Sequence, residues 1–142
     1  MSTTKRPVLK IVCMCRAGMV RSVAMKSILH RYLGHDTLAC GFETNSPEAL
    51  ALLFDWADAI VILSVPFLDY VPVELLHKTH IFDVGDDVWG NPFAEELRVR
   101  LVELLNANPM FHFGRTLDPD KVVRDLRRYR EKIEARKGDP TA

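Results

Sequence analysis

Three side chains near the start of the chain have the types and spacing that chemistry needs: Cys15, Arg21 six residues on, and Ser22 beside it, within VCMCRAGMVRS at 12–22. If residue 15 ends a strand and a helix starts near residue 21, then Arg16, Ala17, Gly18, Met19 and Val20 must curl back tightly. Gly18 can take the left-handed conformation that such a curl requires. A loop of this length entering a helix aims several backbone N–H groups at one point, and the helix N-terminus adds partial positive charge there. That point suits a tetrahedral anion. Arg21 supplies a planar fork for two phosphate oxygens, a geometry lysine cannot copy. The same donors favour the thiolate of Cys15 over its thiol, and a thiolate beneath a bound phosphoryl group is a nucleophile in line for attack. Ser22 can donate its hydroxyl to that thiolate, and a helix-capping role would occupy the same position equally well. A Cys followed by an Arg at this distance often arises by chance. What distinguishes this pair is a preceding buried strand, an internal glycine, a following helix and a place in the first strand-to-helix turn.

Release of an alkoxide or phenoxide from a phosphate monoester also needs a proton. A later segment, FDVGDDVW at 82–89, offers Asp83, Asp86 and Asp87. Asp83 falls within a strand pattern and reads as structural. Asp86 and Asp87 fall in the turn, where two adjacent carboxylates repel one another as anions, so that one is favoured to keep the proton a general acid gives up. Trp89 is positioned to wall an aromatic leaving group, or else to pack over the rim of the core.

These groups need elements to hold them. VLKIVCM at 8–14 reads as a buried parallel strand, and Ala24, Ile28 and Tyr32 with Met25, Leu29 and Leu33 form a helical apolar stripe that stops at Gly34. TLACGF at 37–42 is the second expected strand, followed by Ser46 and Pro47 as cap and first turn of a helix carrying Leu50, Leu53 and Ala57. AIVILS at 59–64 is the clearest buried strand, and Pro66 and Pro72 bracket a short helical or irregular piece. HIFDV at 80–84 is the fourth strand, Asn91 and Pro92 are expected to cap a further helix, and the last helix begins at Asp118 and Pro119 and ends at Gly138. Alternation at this spacing predicts a single three-layer α/β domain spanning 1–142, with a central four-stranded parallel sheet and helices on both faces. In such sheets ligands sit beyond the carboxyl ends of the strands. The Cys15 loop lies at such an end.

Composition sets the outer bounds. The 142 residues are 48% hydrophobic, and 19 Lys plus Arg balance 19 Asp plus Glu. Such a balance disfavours nucleic acid or an anionic membrane as the main partner. Acidic residues gather between Glu43 and Glu96, whereas 121–137 holds eight basic residues against three acidic ones. That stretch reads as a solvated helix face with ion pairs along it, or as a docking surface for an acidic partner. No apolar run is long enough for a membrane span and no secretory leader is evident, so a cytoplasmic protein is expected. Three cysteines, Cys13, Cys15 and Cys40, argue against a disulfide framework. Cys13 and Cys15 with His30 and His35 do not match metal-ligand spacings, and no metal is expected.

The chain resembles the low-molecular-weight protein tyrosine phosphatase superfamily through VCMCRAGMVRS, which corresponds to its Cys-x5-Arg-Ser phosphate loop, and through FDVGDDVW, which corresponds to its acid-bearing loop. It is more similar to the shorter subgroup of predicted tyrosine phosphatases, through LLFDWADAIVIL and NPFAEEL, and the resemblance spans about 8–105. It implies Cys15 as nucleophile, Arg21 as phosphate clamp, Ser22 as thiolate stabiliser, Asp86 as general acid with Asp87 the alternate, and 16–21 as the phosphate-binding loop. It implies a phosphocysteine intermediate, no cofactor, a phosphotyrosine protein or small aryl phosphate as substrate, and inorganic phosphate as product. The sequence departs from the pattern at Val20, where such proteins carry a second cysteine, and at Ala17-Gly18, where they carry Gly-Asn.

CRAGMVRS also resembles the phosphocysteine loop of enzyme IIB components of sugar phosphotransferase systems, which pass phosphate between proteins. Arg21 and the Asp86–Asp87 pair argue for hydrolysis over carriage. Arsenate reductase on the same scaffold would need relay cysteines better placed than Cys13 and Cys40. A non-catalytic module that binds phosphate or phosphotyrosine is the remaining alternative, and turnover of p-nitrophenyl phosphate separates it from an enzyme.

Overall fold

The computed structural model describes residues 6–86 and 88–138. Four strands, β1 (Lys10–Cys15), β2 (Asp36–Gly41), β3 (Ala59–Ile62) and β4 (Thr79–Ile81), form one sheet in the order β2-β1-β3-β4, with every neighbouring pair parallel. The helices are α1 (Arg21–Arg31), α2 (Pro47–Trp56), α3 (Glu95–Ala107) and α4 (Pro119–Lys137), and two 3-10 helices, Val65–Tyr70 and Val73–Lys78, connect β3 to β4. This is the expected three-layer α/β architecture with a four-stranded parallel sheet.

Strands buried on both faces need continuous apolar runs. Ile11, Val12, Cys13 and Met14 of β1 and Ile60, Val61 and Ile62 of β3 are fully buried, which makes these two strands the centre of the core. From β1 the chain moves sideways to β2 and then returns past β1 to reach β3. With the right-handed crossovers that parallel strands favour, this reversal of direction puts α1 and α2 on opposite faces. The strand order reverses between β1 and β3, and the loops leaving those two strands diverge to open a crevice.

The boundaries have local causes. Gly34, at φ +76°, lets the chain leave α1. Ser46 caps α2 by accepting the Ala49 N–H at 3.1 Å, and Asp118 caps α4 by accepting that of Asp120. Two elements differ from expectation. The helix expected from the Asn91-Pro92 pair starts only at Glu95, because Asn91 Oδ1 accepts the Phe93 N–H in a separate turn and the Pro92 carbonyl accepts from buried Arg98 Nε. Strand β4 ends at Ile81 although Phe82 and Val84 still donate to Ile62 and Leu63, since the Asp83 side chain caps a turn at Gly85.

The last helix packs on α3 and is tied to the chain just beyond α1: Tyr32 donates to Asp125 at 2.7 Å, and Arg127 of α4 pairs with Glu95 of α3. Lys137 pairs with Glu134 along α4 itself. No helix among the described residues is long and apolar enough to cross a membrane.

Candidate active site

The segment 15–21 joins β1 to α1, and its shape follows from how its carbonyls are spent. The Cys15 carbonyl accepts the Phe42 N–H at 3.3 Å, that of Arg16 accepts the Glu43 N–H at 2.9 Å, and that of Ala17 accepts the Thr44 hydroxyl at 2.8 Å. Three consecutive carbonyls are thereby turned toward the segment that follows β2. In a trans peptide the next N–H points the opposite way, so the amides of Arg16, Ala17 and Gly18 face into the loop. The Gly18 N–H confirms this direction by donating to Cys15 Sγ at 3.2 Å.

Two glycines permit this docking. Gly18 lies at φ +73°, and a Cβ there would fall 2.6 Å from the Cys40 carbonyl carbon. A Cβ on Gly41 would collide with the Ala17–Gly18 peptide and come within 2.6 Å of the Arg16 oxygen. Gly41 therefore shapes the loop as much as any residue inside it. Its own N–H is held by Asn45 Oδ1 at 2.9 Å.

Cys15 is nearly fully buried, and its sulfur lies 3.1 Å from Ser22 Oγ. A thiolate there can only accept, from the Ser22 hydroxyl and the Gly18 amide. The other two thiols are different. Burial pushes Cys13 well above the usual thiol range, and burial followed by the nearby charge of Cys15 pushes Cys40 up to about 12. All three cysteines are free. Cys13 and Cys40 behave as small neutral hydrophobes.

Arg21 opens α1, whose first turn carries no acid and no side-chain cap. It is only 3% exposed. Its Nη1 donates to the Gly85 carbonyl at 2.6 Å, its guanidinium carbon lies 5.0 Å from the Phe67 ring centre, and its Nε is buried without a partner. None of the ion pairs among the described residues involves it. A buried guanidinium met, among the described residues, by one carbonyl and a ring face is costly unless an anion completes it.

The seat of Arg21 is built by Asp83, whose Oδ1 accepts the Gly85 N–H at 2.7 Å while Oδ2 accepts the Val65 N–H at 3.4 Å. One carboxylate thus links the loops after β3 and β4. Between these loops and the Cys15 loop lies a cavity of about 630 Å³, whose lining includes Arg16, Arg21, Phe42, Phe67, Tyr70 and Asp86.

Of the residues expected at a site, Cys15, Arg21 and Ser22 converge around the loop, and Asp86 reaches the same cavity. Asp87 lies outside the described residues. The side chain of Arg16 pairs with Glu43 at 2.7 Å at the rim of the cavity, and Met19 is exposed. Trp89, expected beside a leaving group, lies elsewhere: its apolar body packs on the core, and it borders grooves with Glu95 and Glu96 on the α3 side. The aromatic walls of the cavity are instead Phe42, Phe67 and Tyr70, with Phe42 stacked on Tyr70 at 3.9 Å and 9° and edge-on to Phe67 at 5.0 Å. Sequence reading missed Gly41, Gly85 and the Tyr70 wall; their signals were a glycine ending a strand, an Asp two residues before a glycine, and aromatic residues in a Pro-bracketed loop at the same sheet edge. Among the described residues no group of three His, Cys, Asp or Glu is placed to hold a metal ion.

No family model and no curated protein matches the sequence. The structure is similar to that of the tyrosine phosphatase Wzb from Escherichia coli K30 in complex with phosphate, at a TM-score of 0.53 and 15% identity over 69% of this chain and 94% of that one. Wzb from Vibrio vulnificus in complex with benzylphosphonate gives 0.49 and 15% over 71% and 94%, and the arginine phosphatase YwlE from Geobacillus stearothermophilus gives 0.48 and 16% over 87% and 96%. The first of these likenesses establishes that this chain shares the fold of that Wzb structure. Fold alone does not carry reaction or substrate.

Proposed function

We propose that the protein is a cysteine-dependent phosphatase that hydrolyses phosphate monoesters, with protein phosphotyrosine as the substrate class. The observation that carries this reading is the buried guanidinium of Arg21, which among the described residues pairs with no carboxylate and leaves Nε unpartnered, at a cavity next to the loop that holds Cys15 and turns the Gly18 amide onto its sulfur. A phosphate dianion supplies the missing charge, and seating it there sets phosphorus beside the sulfur. Proximity and preorganised donors then do most of the work of a phosphoryl transfer.

In this mechanism Cys15 Sγ attacks phosphorus as the bond to the leaving oxygen breaks, giving a phosphocysteine and a leaving group protonated by Asp86. The Asp86 carboxylate next takes a proton from water, which attacks phosphorus and displaces the thiolate to release inorganic phosphate. Ser22 and the Gly18 amide steady the thiolate as it departs. The carbonyl of Gly85 holds one edge of Arg21 so that Nε and the far side of the fork remain for phosphate oxygens. Three aromatic rings around the cavity favour an aryl leaving group over an alkyl one.

A phosphocysteine carrier would need neither the clamp nor the acid, and a pure binding module would not turn over. Hydrolysis of a series of aryl phosphates tests all three readings. Wild type should hydrolyse p-nitrophenyl phosphate and Cys15→Ser should not. Asp86→Asn should slow esters of poor leaving groups by about 10²-fold or more and good ones far less. Equal slowing across the series would remove Asp86 as the acid, and turnover by Cys15→Ser would remove the phosphocysteine.

A further inference from the structure

Five charged side chains line the cavity, and they divide by partner: Arg16, Arg21, Glu43, Asp69 and Asp86. Arg16 and Glu43 pair with one another at 2.7 Å and cancel. Arg21, buried at 3% exposure with its Nε unpartnered, is the group a phosphate neutralises, and Asp86 is assigned a proton in the reading above. Asp69 is left over. It is exposed, and among the described residues it enters no ion pair and no side-chain hydrogen bond. It stands on the 3-10 helix Val65–Tyr70, one residue from Tyr70, whose half-exposed ring stacks on Phe42.

Once a phosphate is seated, the described residues at the mouth of the cavity therefore present one uncompensated carboxylate, Asp69, beside aromatic faces. Such a surface attracts a cation through charge and through the ring quadrupoles, and repels an acidic chain. We propose that Asp69, with the Phe42–Tyr70 stack, is the specificity-determining group of the site and selects phosphotyrosine segments whose neighbouring residues are lysine or arginine. This rests on the phosphatase reading. It sets the substrate class one step finer, as a basic phosphotyrosine segment.

The test uses the full chain and two sets of peptides of equal length, one with basic and one with acidic residues beside the central position. One pair carries phosphotyrosine, for kcat/KM; the other carries a non-hydrolysable phosphonate analogue, for Kd by calorimetry. Both measurements should favour the basic peptide by about five- to tenfold at low salt, the scale of one exposed repulsion exchanged for one exposed attraction at Asp69. The preference should shrink as salt is raised, Asp69→Asn should reduce it, and Asp69→Lys should invert it. A ratio near one in wild type, or a ratio that Asp69→Lys leaves unmoved, overturns the proposal, as does failure of both phosphonate peptides to bind. Selective phosphonate binding without turnover of any phosphoester would support this selection while overturning the phosphatase reading. Turnover of both phosphopeptides at equal rates would do the reverse.

Discussion

The two ends of the sheet treat buried polar groups in opposite ways. At the amino end of the strands His35 is fully buried, and both ring nitrogens are engaged: Nδ1 accepts the Leu9 N–H at 3.1 Å, and Nε2 meets the Phe111 carbonyl at 2.7 Å. A carbonyl can only accept, so Nε2 carries the hydrogen and the ring is fixed as one neutral tautomer. Phe111 and Phe113 close on it edge-on. At the carboxyl end Arg21 is almost as deeply buried, yet among the described residues it meets one carbonyl and one ring face, pairs with no carboxylate, and leaves Nε unpartnered. The histidine completes a structure, whereas the arginine, in the proposed function, is completed by a phosphate.

The contrast predicts that substitutions at the two ends will separate activity from stability. The largest effect expected is on turnover. Arg21→Met keeps the length of the side chain and its contact with Phe67 but removes the charge, so hydrolysis of aryl phosphates should fall by about 10³-fold or more. The domain should meanwhile stay folded with an unchanged or higher urea midpoint, because replacing a buried unpaired charge by an apolar group is often neutral or stabilising. A variant that unfolds would show that Arg21 is part of the framework and erase the distinction between the two ends.

The next effect is on stability. His35→Leu conserves bulk but strands the Leu9 N–H and the Phe111 carbonyl, and each buried orphan costs about 1–3 kcal/mol. A loss of about 2–5 kcal/mol in unfolding free energy is expected from urea titration, with kcat/KM of the remaining folded protein near wild type. If His35→Leu instead lowered kcat/KM while leaving the midpoint in place, the amino end would have to be coupled to the site.

How much of this was legible in the sequence differs between the same two regions. Cys15, Arg21 and Ser22 and the strand and helix that carry them were readable, since a local pattern of apolar run, glycine and helical stripe spans a single short segment. The fixing of His35 was not, because its partners come from residues 9 and 111 and only the folded chain brings them together. The same distance hid Gly41, whose missing Cβ makes room for residues 16–18, and Gly85, whose carbonyl seats Arg21. For Trp89 the sequence left two places open, a wall for the leaving group or the rim of the core; Asp86 reaches the cavity, whereas the indole three positions on packs on the core at the α3 side. Asn91-Pro92 resembled a helix start because an Asx turn and a helix cap use the same side-chain acceptor.

A third measurement joins both ends through one ligand, with the smallest effect of the three. An anion that binds only the folded state stabilises it by RT ln(1 + [L]/Kd), which is about 1.4 kcal/mol at ten times Kd. Inorganic phosphate, the expected product, should therefore raise the melting temperature of wild type by a few degrees, and the rise should follow that logarithm as phosphate is increased. In Arg21→Met the shift should vanish, since the charge that phosphate completes is gone, even where the variant starts from a higher melting temperature. In His35→Leu the shift should persist in full from a lower starting point, because the groups orphaned there lie at the far end of β1 from the anion. Sulfate in place of phosphate controls for geometry, and chloride at matched ionic strength controls for general screening. An equal rise in all three proteins would mean that the anions act on bulk solvation rather than at Arg21, and the unpaired guanidinium would then need another explanation.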